Sequence, residues 1–350
     1  MQHPARLLFK IIAGTIIVFL LFFVTVYFLT KGEYPVKETI SSDASLPQDT
    51  INDAPFHVKA FGNPENPVII FVHGGPGFDF NYLLPLETLK DSFYLVFYDQ
   101  AGCGLSPRYD DPELSFERAV DDLLGFIRNN QNGSSLYLAG HSFGAQLSLA
   151  AFSRAGSLVQ KVALIEPEFL TDETLEQFVQ KTNYMRPGFT WPMLKYMITY
   201  WFRSLHIDQP DKHANQDYFY GHFATAYSVK GHPYQSYLCN LSDHPIVINR
   251  YGAVASAALL RSLFSEQGNL DYEFIIPGLI NKADSVLFIA TDCNQLAGIE
   301  TQQVHQQLLP GSRLEIIRNS GYNPVFYQPE DIDSTLRVFF RYVSHTRSGA

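Results

Sequence analysis

The stretch SLYLAGHSFGAQLSLAAF, residues 135–152, decides the fold. It begins as a short apolar run of strand length, passes through Gly140-His141-Ser142-Phe143-Gly144, and leaves as an Ala- and Leu-rich helix. G-x-S-x-G between a strand and a helix is a sharp turn that lifts the serine hydroxyl to the top of a sheet. Small residues flank the serine because the turn is tight and the helix must approach the strand closely. The Phe143 N–H at the helix start then faces any negative charge that develops on an oxygen held beside Ser142. Ser142 is therefore the candidate nucleophile.

Outward from this turn, apolar runs alternate with helical patterns. Strands are expected over 67–72 (PVIIFV), 93–98 (FYLVFY), 135–139, 161–165 (KVALI), 286–290 (VLFIA) and 314–317 (LEII). Helices are expected over 116–130, 143–155, 295–309 and 330–343. Runs this apolar suit strands buried on both faces, and the alternation argues an α/β fold: a mostly parallel sheet with helices on both faces. The alternation breaks between Pro167 and Asp284, in an aromatic-rich helical stretch containing Trp191 and Trp201. It reads as a helical cap, 167–285, inserted between core segments 55–166 and 286–350.

Two further loops follow strands. His73-Gly74-Gly75-Pro76-Gly77 frees backbone N–H groups to reach a substrate oxygen, so Gly75 is expected to complete an oxyanion hole with Phe143. His73 is expected to shape that loop rather than act as a base. Asp99-Gln-Ala-Gly-Cys-Gly-Leu-Ser106 follows FYLVFY. Together, HGGPG at 73–77, DQAGCGLS at 99–106 and GHSFG at 140–144 resemble the α/β-hydrolase superfamily and, within it, the proline iminopeptidase-like serine hydrolases. The resemblance extends over about 55–345. It implies an α/β-hydrolase fold and a Ser–acid–His triad in that chain order, acting on peptide, amide or ester bonds.

The chain departs from that family at two positions. Where the family carries its histidine, in a Gly-His step after the last strand, Gly321 is followed by Tyr322. Tyrosine, with a pKa near 10, does not accept a serine proton as imidazole does. Strict register puts Asn294 at the acid position. Asp292, two residues earlier, and Glu166, at the end of the strand KVALI, remain as carboxylate candidates. His141, His305, His222 and His232 are the histidines available as substitutes, and Glu168, Glu173 and Glu176 are the carboxylates available to hold the substrate amine that the resemblance implies, though nothing in the sequence marks them out. Two readings follow: a serine hydrolase with an unorthodox base, aminopeptidase-like by resemblance, or a catalytically impaired relative that binds a ligand or protein.

Composition narrows the partners. Among 350 residues, 46% are hydrophobic and 17% charged, enough for a packed core. A net charge of −10 makes nucleic acid a poor partner; the expected partner is a small-molecule or peptide substrate. Three cysteines, far apart and with no CxxC pair, exclude a disulfide framework and a cysteine-built zinc site, and no metal or cofactor is expected. Ile11 to Leu29 is nineteen residues without a charge, long enough to cross a bilayer. After a short tail, 1–10, residues 11–30 are thus expected as a single-pass membrane anchor, with a cleaved signal peptide as the alternative. Residues 31–54 are polar and read as a linker, and the bulk of the chain is expected outside the cytoplasm.

Overall fold

Val68–Val72 (β3) is buried along its whole length, because it runs parallel between two other strands with an apolar layer on each face. The computed structural model describes residues 4–185, 190–226 and 246–341. Around β3 it builds a sheet from β1 (Gln48–Ile51), β2 (Ala54–Phe61), β4 (Tyr94–Tyr98), β5 (Leu136–His141), β6 (Lys161–Ile165), β7 (Val286–Thr291) and β8 (Arg313–Ile317). The order is β1-β2-β4-β3-β5-β6-β7-β8, parallel from β4 to β8, with β1 and β2 antiparallel at one edge. The six strands expected from the apolar runs are all present.

The helices are α1 (Pro4–Leu29), α2 (Phe116–Asn129), α3 (Phe143–Arg154), α4 (Asp172–Met185), α5 (Trp191–Ser204), α6 (Ala214–Ala226), α7 (Ala253–Arg261), α8 (Pro277–Ile280), α9 (Ile299–Leu308), α10 (Pro324–Tyr327) and α11 (Pro329–Arg341). On one face of the sheet, Phe126, Phe143 and Phe152 of α2 and α3 join the main core. On the other, Phe339 and Phe340 of α11 pack with Leu86 and Phe93 from the stretch before β4.

Two boundaries differ from the sequence reading. The stretch 31–54 is not all linker: its end forms β1, which pairs back on β2. Asn52 and Asp53 both hold positive φ, 49° and 62°, as a two-residue hairpin turn of the right twist demands. The strand was illegible because QDTI is short and mostly polar at a sheet edge. The cap also ends earlier than 285. Ala255, Ala258 and Leu259 of α7, with Leu263, Phe274 and Leu279, belong to the main core. An Ala-rich helix carries little pattern of its own, yet its small side chains let it lie close against the loop at Gly102.

A buried ionic cluster fixes the cap on the core. Asp217 of α6 accepts from Arg108 Nε and from Arg250 Nε, both at 2.8 Å, while its other oxygen accepts from the Ala253 N–H at 2.9 Å. Arg250 also forms a fork with Asp211, 2.8 Å on each arm. Removing one carboxylate from such a cluster strands buried charge. Asp217→Ala is expected to cost about 3–5 kcal/mol of folding stability, measured as the shift in urea midpoint; a shift within that of an exposed control such as Asp208→Ala would contradict the assignment.

Candidate active site

Every loop that follows β3, β5, β6 and β8 leaves the sheet at the carboxyl end of its strand, so four segments converge on one rim. At its centre β5 turns into α3 through Ser142, whose φ of 55° and ψ of −124° are rare for a side-chain-bearing residue. The Ser142 N–H donates to the Ile165 carbonyl at 2.8 Å, extending the ladder to β6 right up to the turn. The close approach explains the glycines: a Cβ on Gly144 would run into the carbonyl of Val72. Gly74 plays the same part from the other side, since a Cβ there would stand 3.0 Å from Ser142 Cβ and 2.7 Å from the His141 carbonyl oxygen.

The Ser142 hydroxyl is held by two side chains. It lies 2.6 Å from the Tyr322 hydroxyl, and it donates to Glu168 Oε1 at 3.0 Å. Tyr322 donates to the same Glu168 oxygen. Tyr322 therefore stands beside the serine, in the loop after β8. Glu168, two residues beyond Glu166, was available in the sequence only as a carboxylate for a substrate amine, and its contact with Ser142 was not foreseen. It follows Glu166-Pro167 at the end of β6, and a second carboxylate after that strand was its only sequence signal. Burial raises the Glu168 pKa above the usual glutamate value of 4.5, opposed by the hydrogen bonds from Tyr322 and Ser142.

The other candidates are placed as follows. Glu166 is buried at φ 49° and faces away from the serine; its Oε1 accepts from the Thr291 N–H at 3.0 Å and from the Thr291 hydroxyl. Burial pushes its pKa up to about 8, against the hydrogen bonds from Thr291. Asn294 turns its own carbonyl oxygen to the Leu296 and Ala297 N–H groups, at 2.8 and 3.1 Å. Asp292 accepts from the Ser320 N–H at 3.3 Å, so it braces the loop that carries Tyr322 and makes no hydrogen bond to Ser142. Gly75 lines the cavity above Ser142, and Phe143 opens α3 with its ring 5.5 Å from that of Phe116 in the core.

Among the described residues no histidine hydrogen-bonds Ser142. His73 bonds the Gly74 carbonyl at 2.9 Å and accepts from the Gln100 N–H at 3.0 Å, which shapes the loop. His141 bonds the Tyr82 hydroxyl at 2.9 Å, and burial pushes its pKa down to about 4. His305 bonds Gln302 on α9, and His222 bonds the Tyr218 carbonyl on α6. His232 lies outside the described residues. Cys103 is free and buried, Cys293 is disulfide-bonded, and Cys239 lies outside the described residues. Among the described residues no cluster of His, Cys, Asp or Glu has the makings of a metal site.

A cavity of about 320 Å³ stands over the serine. Phe78, Phe223, Ala224, Tyr251 and Leu296 give it an apolar wall, and Ser142, Glu168, Tyr322 and His141 form its polar end. The sequence profile of the alpha/beta hydrolase fold matches residues 67–329. The chain belongs to the α/β-hydrolase fold family. Individual relatives match over shorter stretches. The proline iminopeptidase of Saccharolobus solfataricus is 37% identical over 87 residues, 23% of this chain and 27% of that protein. The 2-(acetamidomethylene)succinate hydrolase of Mesorhizobium japonicum is 32% identical over 120 residues, 33% of this chain and 42% of that protein. The chain thus spans less than half the length of these curated relatives. Among solved structures, the proline iminopeptidase of Mycobacterium smegmatis superposes with a TM-score of 0.53 at 17% identity, over 84% of this chain and 97% of that one. That likeness supports the α/β-hydrolase fold.

Glu166 gives the stability a pH dependence. Its folded pKa of about 8 stands above its ordinary 4.5, so between those values the folded chain holds a proton that the unfolded chain has lost. Its contribution to stability is full below 4.5 and is lost as pH rises to about 8. Glu166→Gln, neutral at every pH, is expected to flatten that decline and to raise the urea midpoint near pH 8 relative to wild type. An unchanged slope from pH about 5 to about 8 would contradict it.

Proposed function

We propose that this protein is a membrane-anchored serine hydrolase in which Ser142 attacks an ester or amide carbonyl and Glu168 takes the place of the family histidine as general base. The observation that carries this reading is the hydrogen bond from Ser142 Oγ to Glu168 Oε1, 3.0 Å. As Oγ bonds to the carbonyl carbon, its proton passes to Glu168. The electron pair displaced onto the carbonyl oxygen faces the N–H groups of Phe143 and Gly75. Collapse expels the leaving group, which takes the proton from Glu168. Water, giving a proton to the same carboxylate, then attacks the acyl carbon; collapse breaks the bond to Oγ, which takes that proton back from Glu168, and the acid product leaves. A carboxylate whose pKa burial has raised is a better base than a solvated one.

Tyr322 orients both partners. Its hydroxyl lies 2.6 Å from Ser142 and donates to Glu168, favouring the ionised form of the carboxylate. Resemblance to proline iminopeptidases supports amide or peptide bonds as substrates. Helix α1 contains a 22-residue segment, Leu8–Leu29, long and apolar enough to cross a membrane. A disulfide at Cys293 suits an oxidising compartment and hence an extracytoplasmic body. The rival reading, a binding protein on a silenced hydrolase fold, draws on Tyr322 at the family histidine position.

Turnover of a short-chain ester decides between them. Ser142→Ala is expected to abolish it, and Glu168→Gln to lower kcat by about 10²–10⁴-fold. The wild-type rate should rise with pH as Glu168 ionises, and Tyr322→Phe should move that rise to higher pH, because it removes a donor that favours the carboxylate. Turnover indifferent to Ser142→Ala, or none in wild type, would decide for the binding protein.

A further inference from the structure

Cap helix α5, WPMLKYMITYWFRS, has two apolar faces, and the described residues of the cap cover one of them. On the inner side Tyr196 stacks on Phe223 at 5.2 Å and Tyr200 on His222 at 4.1 Å, both residues of α6. On the outer side Trp191, Met197, Trp201 and the following Leu205 are exposed, Trp191 at 73%. At 3.6 residues per turn these four fall with Leu194 and Ile198 in one arc of about 120°. Lys195, Thr199 and Arg203 lie in the sector beside it.

Helix α1 identifies what the open face meets. Phe23 packs on the rings of Trp201 and Phe202 at 5.9 and 5.0 Å, and Tyr27 on His206 at 4.3 Å. His206 Nε2 also bonds the Tyr27 carbonyl at 3.0 Å. Leu8–Leu29 is about 33 Å long, a match to a hydrocarbon core of about 30 Å. Phe23 is six residues from the end of that run, about 9 Å along it. The end of α5 is thereby fixed within the 5–10 Å depth, roughly, at which interfacial helices bury their apolar faces. Both tryptophans of the chain lie on this face, and tryptophan favours that boundary.

We propose that α5 lies in the leaflet that α1 enters, its outer face covered by lipid, and that the Ser142 cavity takes an acyl-chain amphiphile from that leaflet. This rests on the membrane-anchored hydrolase reading above and gives it a substrate class. The inner face of α5 continues into the cavity through Phe223, which lines the apolar wall over Ser142. Among the described lining residues the one carboxylate is Glu168, already engaged by Ser142 and Tyr322. The wall therefore suits an apolar acyl group, with the ester or amide junction at Ser142.

The test uses the full chain in lipid vesicles. Trp201→Phe leaves Trp191, about 15 Å along the helix from the α1 contact, as the sole tryptophan. Its emission is expected to be quenched by lipids brominated in the acyl chain and shielded from iodide. Iodide quenching with no effect of brominated lipid, in a chain that floats with the vesicles, overturns the proposal. A chain that does not float overturns the membrane anchor beneath it, and the proposal too. In a second arm, Trp191→Glu with Met197→Glu is expected to lower turnover of a vesicle-borne long-chain ester by about tenfold while sparing a soluble short-chain ester. Equal loss on both, or loss on neither, overturns the substrate class. Absence of Ser142-dependent turnover of either ester overturns the hydrolase reading, and the quenching arm still decides the seating of α5.

Discussion

Ser142 is held in a backbone conformation that costs on the order of 1–3 kcal/mol, and the site is organised around holding it there. The turn persists because its neighbours leave no alternative. The Ser142 N–H is tied to the Ile165 carbonyl, Gly144 lies against the Val72 carbonyl, and Gly74 closes over the serine side chain. These contacts come from β6 on one side of the turn and from the end of β3 and its following loop on the other. Relaxing the turn would require β3, β5 and β6 to move apart, which the buried layers on both faces prevent.

With the hydroxyl fixed, the chemistry depends on what reaches it. The loop after β8 delivers Tyr322, braced by Asp292 through the Ser320 N–H. The loop after β6 delivers Glu168, past a strained Glu166 that is anchored to Thr291 at the head of β7. Three strand ends thus meet at one oxygen. The two glutamates differ in role because their surroundings differ. Glu166 is sealed in and bonded to Thr291 of β7, whereas Glu168 lies at the polar end of the cavity in contact with Ser142.

The parts of this arrangement carried by local pattern were legible in the sequence. GHSFG marked the turn because glycine spacing there answers a steric demand, and the buried strands stood out as unbroken apolar runs. Tyr322 was found because the frame around it is intact. The contact of Glu168 with Ser142 was not foreseen, since it depends on how the backbone turns at Glu166 and Pro167, which no periodicity encodes. The hairpin of β1 and β2 escaped because its first strand is short and polar. The packing of α1 on α5 joins residues nearly 180 positions apart, and such pairings leave no local trace.

The account stands or falls on whether Glu168 makes Ser142 nucleophilic. A fluorophosphonate probe, followed by mass mapping of the labelled peptide, reads this directly. The account predicts adduct on Ser142 in wild type, forming faster as pH rises through Glu168 ionisation, and forming slowly without that pH dependence in Glu168→Gln. Equal labelling rates and equal pH profiles in the two proteins would contradict it.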